Sequence, residues 1–252
     1  MIYQQKGVMI RQASYSESSR IITVLTEDGS QVPLMSRGFN KPKSPFIVLR
    51  QGIKEALFTY NRFKGMGTLN EVDVIEPFKK LNGNFTVYTY GSYVMELITR
   101  ALEEGMKQDS FYRLLIRSLK LLEEESEPSG VTAFTAIKML PYYGGQINVD
   151  ECAVCGTRDR SLFTHYSFNH HSVICSRCIN DTLRSVVPVS NRVLYLAGYM
   201  KHVPIDNVES INISEENGKQ LLSFIEMIYD EYTGVYFKSR RLIRSMGDAD
   251  ST

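Results

Sequence analysis

All four cysteines of the chain fall between residues 152 and 178, as the pairs Cys152/Cys155 and Cys175/Cys178 in the frame C-x2-C-x19-C-x2-C. A CxxC turn brings two sulfurs to one side of a metal ion, and two such turns complete a tetrahedron. The spacing fits zinc-ribbon and zinc-knuckle patterns. One structural Zn2+ per chain is therefore expected, held by Cys152, Cys155, Cys175 and Cys178. Two unrelated redox or packing pairs are the competing reading. The opening MIYQQKGVMI lacks the basic head, apolar core and small-residue cleavage site of a secretory leader. No stretch approaches the roughly 18 apolar residues of a membrane span. A cytoplasmic location is expected, where thiols stay reduced. His165, His170 and His171 lie between the pairs, but four thiolates already fill a tetrahedral shell. The imidazoles then serve as neighbours of the site, and no position is left for an activated water, which argues against catalytic zinc.

The elements that must position these thiols come from a chain of 252 residues, 43% hydrophobic and 23% charged. That length and composition give a globular protein with a sizeable core and two or three domains. The formal net charge is +1, and a dication on four thiolates brings it to −1, so global charge singles out no partner. Its distribution is more informative. Residues 1–67 carry ten Lys/Arg against four acids, whereas 82–150 carry six against nine. Such asymmetry suits a basic binding module on a neutral body, although solubility alone can also produce it. There is no GxxxxGK[ST], HExxH or GxSxG motif. The acids of EVDVIE alternate along a strand and read as a solvated face.

Up to residue 76 the chain consists of short β-branched runs: GVMIRQ, RIITVLTE, QVPLMSRG, IKEALFTY and GTLNEVDVIE. The turn stretches SYSES, EDGS, NKPKSP and RFKGMG separate them. Five short strands suit a small closed barrel of the OB type, with an SH3-like barrel as competitor. Beyond Pro77 the period becomes helical, with Val87, Tyr90, Val94, Leu97, Ile98 and Ala101 on one face, Asn84 as cap and Gly105 as stop. Further helices follow Asp109, end near Gly144, and resume at SNRVLYLAGYMKHV and SEENGKQLLSFIEMIYDEYTG. The fold class is α+β: an N-terminal five-stranded OB-type β-barrel, then an α-helical domain with an inserted four-cysteine zinc knuckle. The boundaries are 1–79 for the barrel, 80–148 and 181–246 for the two parts of the helical domain, 149–180 for the insertion and 247–252 for a frayed tail.

Two barrel loops combine cations with aromatic rings. SRGFNKPKSPF offers Arg37, Lys41 and Lys43 beside Phe39, and YNRFKGMG offers Arg62 and Lys64 beside Phe63. With Arg20, these are the candidate DNA-binding residues, because cations attract phosphates and exposed rings stack bases. Phe39 and Phe63, in turns, are expected to be exposed, and Phe46 and Tyr60, in strands, to be core. Arg113, Arg117 and Lys120 form a ridge at helical spacing beside Leu114, Leu115 and Leu119. That pattern suits an acidic peptide with an apolar tip, or is an ordinary solvated helix flank. Near the end, Arg240 and Arg241 lie in a basic cluster suited to nucleic acid, a helix terminus or an acidic partner.

The segments GVMIRQASYSESSRIITVLTEDGS, SRGFNKPKSPF, GMGTLNEVDVIEPF and SYVMELITRALEEG, the spaced cysteines and SRRLIR occur in an order that resembles the bacterial RecO recombination mediators over almost the whole chain. Ser19 is a small departure, at a turn where an Asp is expected. The resemblance implies an OB fold, a helical domain, a cysteine-bound zinc and a non-enzymatic role in DNA repair. It implies binding of single- and double-stranded DNA, strand annealing, action with RecR, and help for RecA in replacing the single-strand binding protein, SSB. It also implies contact with the acidic SSB C-terminal tail, for which the Arg113–Lys120 ridge is the candidate seat, and a nucleoid-associated location. A zinc-stabilised nucleic-acid-processing enzyme and an RNA-binding adaptor are the alternatives from other classes.

Overall fold

The structure, a computed structural model, describes residues 1–249. Its contacts group the chain into two compact units, Met1–Glu123 and Glu124–Thr252. The helices between 80 and 123 thus group with the barrel, rather than with the later helices as the sequence pattern suggests.

In the first unit, β1 (Ile2–Ser14), β2 (Arg20–Thr26), β3 (Gln31–Ser36), β4 (Glu55–Asn61) and β5 (Gly67–Glu76) form a closed barrel in the order β1-β2-β3-β5-β4. All pairings are antiparallel except β3 with β5. Period-2 alternation drives inward Ile22, Val24, Val32, Leu34, Phe58 and Leu69, which pack with Phe46 and Tyr60. The first strand is longer than its apolar run. The polar stretch Ile2–Lys6 also belongs to it, because it pairs with β4 from Ile2↔Asn61 to Val8↔Glu55 and closes the barrel.

Three helices complete this unit: α1 (Lys79–Gly83), α2 (Phe85–Thr99) and α3 (Asp109–Glu123). Asn84 caps α2 by accepting the Val87 N–H, as expected. That helix ends at Thr99 rather than near Gly105, whose φ of +81° places it in a turn of the connection. Glu123 accepts the N–H groups of Lys80 and Leu81, which satisfies the first turn of α1. The buried Tyr112 hydroxyl of α3 donates to the buried Glu55 carboxylate of β4 at 2.6 Å. Burial, and then Glu55, push the Tyr112 phenol upward.

The second unit holds α4 (Pro128–Met139), continued by a 3-10 turn that Gly144 closes at φ +77°. A four-stranded sheet follows, β6 (Asn148–Cys152), β7 (Phe163–Ser167), β8 (Ser172–Cys175) and β9 (Val186–Pro188), in the order β6-β8-β7-β9. Then come α5 (Asn191–His202), α6 (Glu215–Tyr232) and α7 (Lys238–Ala249). Ser190 caps α5 and Ser214 caps α6. Val131, Phe134, Leu221, Ile225 and Ile228 are buried where α4, α5 and α6 pack. The cysteine segment is therefore a small sheet rather than a bare knuckle. It runs past residue 180, because β9 pairs with β7 from His165↔Pro188 to Ser167↔Val186. Of the tail expected over 247–252, residues up to Ala249 are helical and the rest lie outside the described residues. Among the described residues, no helix is long and apolar enough to cross a membrane.

Candidate metal centre and nucleic-acid interface

The two CxxC turns leave the ends of two neighbouring parallel strands. Cys152 ends β6 and Cys175 ends β8. Each turn is closed by a backbone bond, Gly156 N–H to Cys152 O at 2.9 Å and Cys178 N–H to Cys175 O at 3.0 Å. Gly156, at φ +69°, suits the left-handed position of the first turn. The four sulfurs lie within 4.8 Å of one another, and Cys155 Sγ and Cys175 Sγ are 3.8 Å apart. A tetrahedron with metal–sulfur bonds of about 2.3 Å has edges of about 3.8 Å, so the thiols fit a tetrahedral thiophilic ion. Burial opposes ionisation of Cys152, but the N–H groups of Cys155, Cys175 and Val154 outweigh it and bring this thiol down to about 6. Cys178, held first by Cys175 and then by Cys155, is pushed up to about 12. Sulfurs this crowded repel as thiolates, and a cation is what lets all four ionise together. The histidines stand outside the cluster. His165 Nδ1 lies 2.9 Å from Thr164 Oγ1, His170 Nδ1 lies 2.9 Å from Ser167 Oγ, and the His171 ring packs on Tyr232.

The candidate DNA-binding residues form two groups rather than one. Arg37, Lys41 and Lys43 are exposed in the β3–β4 loop, and Arg20 reaches that loop through Asn40 Oδ1 at 3.0 Å. Asn40 in turn donates to Ser18 O and Glu17 O of the β1–β2 loop. Arg62, Phe63 and Lys64 occupy the β4–β5 loop, which ends opposite Leu34 and shares a groove with Asp28, Ser30 and Val32, toward the Gln31 end of β3. The two groups thus leave β3 in opposite directions.

Phe63 is 98% exposed, as a stacking ring must be. Phe39 corrects the expectation of exposure, since it is 1% exposed and part of the barrel core. The guanidinium carbons of Arg20 and Arg50 each lie 5.9 Å from its ring centroid. Arg50 also donates to Phe39 O at 2.9 Å, so it orders the loop that presents Arg37, Lys41 and Lys43. Nothing in the local sequence marks Arg50 for this role.

The ridge on α3 keeps its cations but loses its apolar seat. Leu114, at 2% exposure, is buried together with Leu115 and Leu119, because the apolar face of α3 is used in packing. Arg113 pairs with Asp109 at 3.4 Å, and Lys120 is exposed. Arg240 is a second correction. It is 7% exposed, with Nε 2.8 Å from Glu226 Oε2 and a further nitrogen 2.7 Å from Asp230 Oδ2. Arg240 is thus an internal ion-pair residue rather than a partner-facing one, while the adjacent Arg241 is exposed.

A groove of about 350 Å3 beside Phe63 gathers residues that sequence patterns do not link. Tyr3 and Tyr60 stack there with centroids 5.4 Å apart, and Lys107 joins Arg62 and Lys64 at its rim. Tyr3 is hidden in a polar strand start, and Lys107 lies 43 positions from Lys64.

In OB-type barrels the β2–β3 face and its flanking loops bind oligonucleotides and oligosaccharides. A closed barrel of this type, joined to helices and a tetrathiol sheet, defines the structural class. Residues 1–78 match the family Recombination protein O N terminal, and residues 82–241 match Recombination protein O C terminal. The chain belongs to the RecO family. It is 35% identical over 246 residues to the protein named DNA repair protein RecO of Staphylococcus aureus strain MRSA252, with 98% of each chain covered. The protein of the same name from strain Mu3 matches with the same identity and coverage.

Proposed function

We propose that this chain is a cytoplasmic, nucleoid-associated DNA-repair mediator that binds DNA without catalysing a reaction on it. The observation that carries the reading is the OB-type barrel with exposed cations beyond both ends of β3 and the bare ring of Phe63 beside one group. Arg20, Arg37, Lys41 and Lys43 at one end, and Arg62 and Lys64 at the other, would hold phosphates on either side of the β2–β3 face. Phe63 would stack a base. Such a surface tolerates any sequence, because every base has a π-face. By family likeness, the bound DNA would be annealed to its complement and, with a RecR-type mediator, prepared for RecA loading on SSB-coated single strands. The SSB tail remains a proposed partner, but the buried Leu114 stripe is not its seat.

The tetrathiol site would hold one structural Zn2+ per chain through Cys152, Cys155, Cys175 and Cys178. Bound there, the ion would tie the ends of β6 and β8 together.

Binding should weaken steeply with salt, because neutralised phosphates release counterions. Replacing Arg37, Lys41 and Lys43 by Gln should reduce the slope of log affinity against log salt by about 0.7 per lost contact on single-stranded DNA. An unchanged slope in a folded variant removes this loop from the site. Annealing of complementary strands, bare and SSB-coated, tests the mediator role, and a chain that anneals neither is not one.

A further inference from the structure

The connection between α2 and α3 is built onto the barrel at Gly29–Gln31, where Gln31 donates to Glu103 O at 3.0 Å. Ser30 and Lys107 form an antiparallel bridge, and the Gln108 N–H points to Gly29 O at 3.4 Å. Gly29 permits the approach. Its φ is +76°, and a Cβ there would lie 2.1 Å from the Gln108 carbonyl carbon. The result is a cation delivered to the nucleic-acid face from outside the strands. Lys107 Nζ sits 2.9 Å from Asp28 Oδ2, and Asp28 Oδ1 accepts from Thr26 Oγ1 at 2.7 Å and Ser30 N–H at 3.2 Å. Burial disfavours the Asp28 charge, yet Thr26, Lys107 and Ser30 together hold the carboxyl down at about 2, so the tether persists at any working pH.

Lys107 remains largely exposed beyond this tether, on the rim of the groove that holds Tyr3, Tyr60, Arg62, Phe63 and Lys64. Three cations therefore surround a set of aromatic faces. A base can lie on Phe63 or against the Tyr3–Tyr60 stack only when its own face is uncovered. In a duplex both faces are covered by neighbouring bases.

We propose that Lys107, fixed by Asp28, is a phosphate-contacting residue of the barrel, and that this groove admits an unpaired nucleotide while excluding duplex DNA. The inference rests on the DNA-binding reading above. Its phosphate contacts are Arg62, Lys64 and Lys107, and its base contacts are Phe63 and the outer face of Tyr3, which the buried Tyr60 ring backs. The α2–α3 connection thereby becomes part of the binding surface, and selection of single strands resides at the β4–β5 end of the barrel.

The test uses the full chain with a labelled oligothymidylate and a blunt two-stranded duplex without a loop, each titrated over a range of salt. Lys107→Gln should weaken oligothymidylate binding several-fold and lower its salt slope by about 0.7, with the duplex slope unchanged. Asp28→Asn keeps an acceptor for Thr26 and Ser30 while releasing Lys107. Its slope should not fall, which separates a phosphate contact from a mere brace of the turn. If Lys107→Gln leaves the slope intact while Arg62→Gln and Lys64→Gln lower it, the inference fails and the barrel reading stands. If none of the three alters the slope, the inference fails and the Arg37–Lys43 loop is left to carry the barrel reading; if the parent chain binds no oligothymidylate, both fail. An equal loss on the duplex overturns the exclusion of duplex.

Discussion

Arg240 offers the sharpest test of how the second unit is held together. Its guanidinium on α7 meets Glu226 and Asp230 of α6, and both Arg240 and Glu226 are buried. Burial pushes the Glu226 carboxyl upward, and Arg240, followed by Arg244, pulls it part of the way back. Arg240→Ala would leave a buried carboxylate without its main counter-charge. Breaking such a pair from one side costs about 3–5 kcal/mol. For a chain of this size that corresponds to a fall in melting temperature of roughly 10 °C. Arg240→Lys should lose part of this, because an ammonium cannot make the forked contact to two carboxylates. Glu226→Leu combined with Arg240→Met should recover most of it. The pH dependence has a definite sign. In the alanine variant the folded pKa of Glu226 rises further above its unfolded value of about 4.3. A group raised in this way favours the folded state below the unfolded pKa and loses that contribution as pH rises through the folded pKa. The deficit against the parent should therefore shrink toward about pH 4 and grow toward neutrality. The assay is urea and thermal unfolding followed by far-ultraviolet circular dichroism at both pH values. A loss below about 1 kcal/mol at neutral pH would refute the ion-pair argument.

Two further outcomes follow from the sites. Freshly purified, reduced protein should contain one zinc per chain by elemental analysis, and Cys152→Ser or Cys175→Ser should reduce metal content and stability together; metal-free protein of unchanged stability would contradict this. The two loop phenylalanines should behave oppositely: Phe39→Ala should cost about 3–5 kcal/mol of stability as a core truncation, whereas Phe63→Ala should leave melting unchanged and weaken single-strand binding by about 1–3 kcal/mol, and identical behaviour would mean that their burial is misassigned.

Features that depend on neighbours along the chain are legible in the order of residues alone. The two CxxC turns, the Asn84 cap and the Gly144 stop are local, and each can be read within a few residues. The five strands were legible because alternation marks a half-buried strand wherever it occurs. Tertiary structure decided the rest, because burial depends on what approaches from elsewhere. Ile2–Lys6 shows no apolar alternation and becomes a strand because β4 offers it an edge. Phe39 looks exposed from its turn, but the barrel core receives it and Arg50 fastens its backbone. The Leu114 stripe and Arg240 have the composition of contact surfaces, and α3 packing and the acids of α6 consume them. Lys107 joins the groove because Gly29 lacks a Cβ where the α2–α3 connection crosses the barrel, a contact between residues that no local period links.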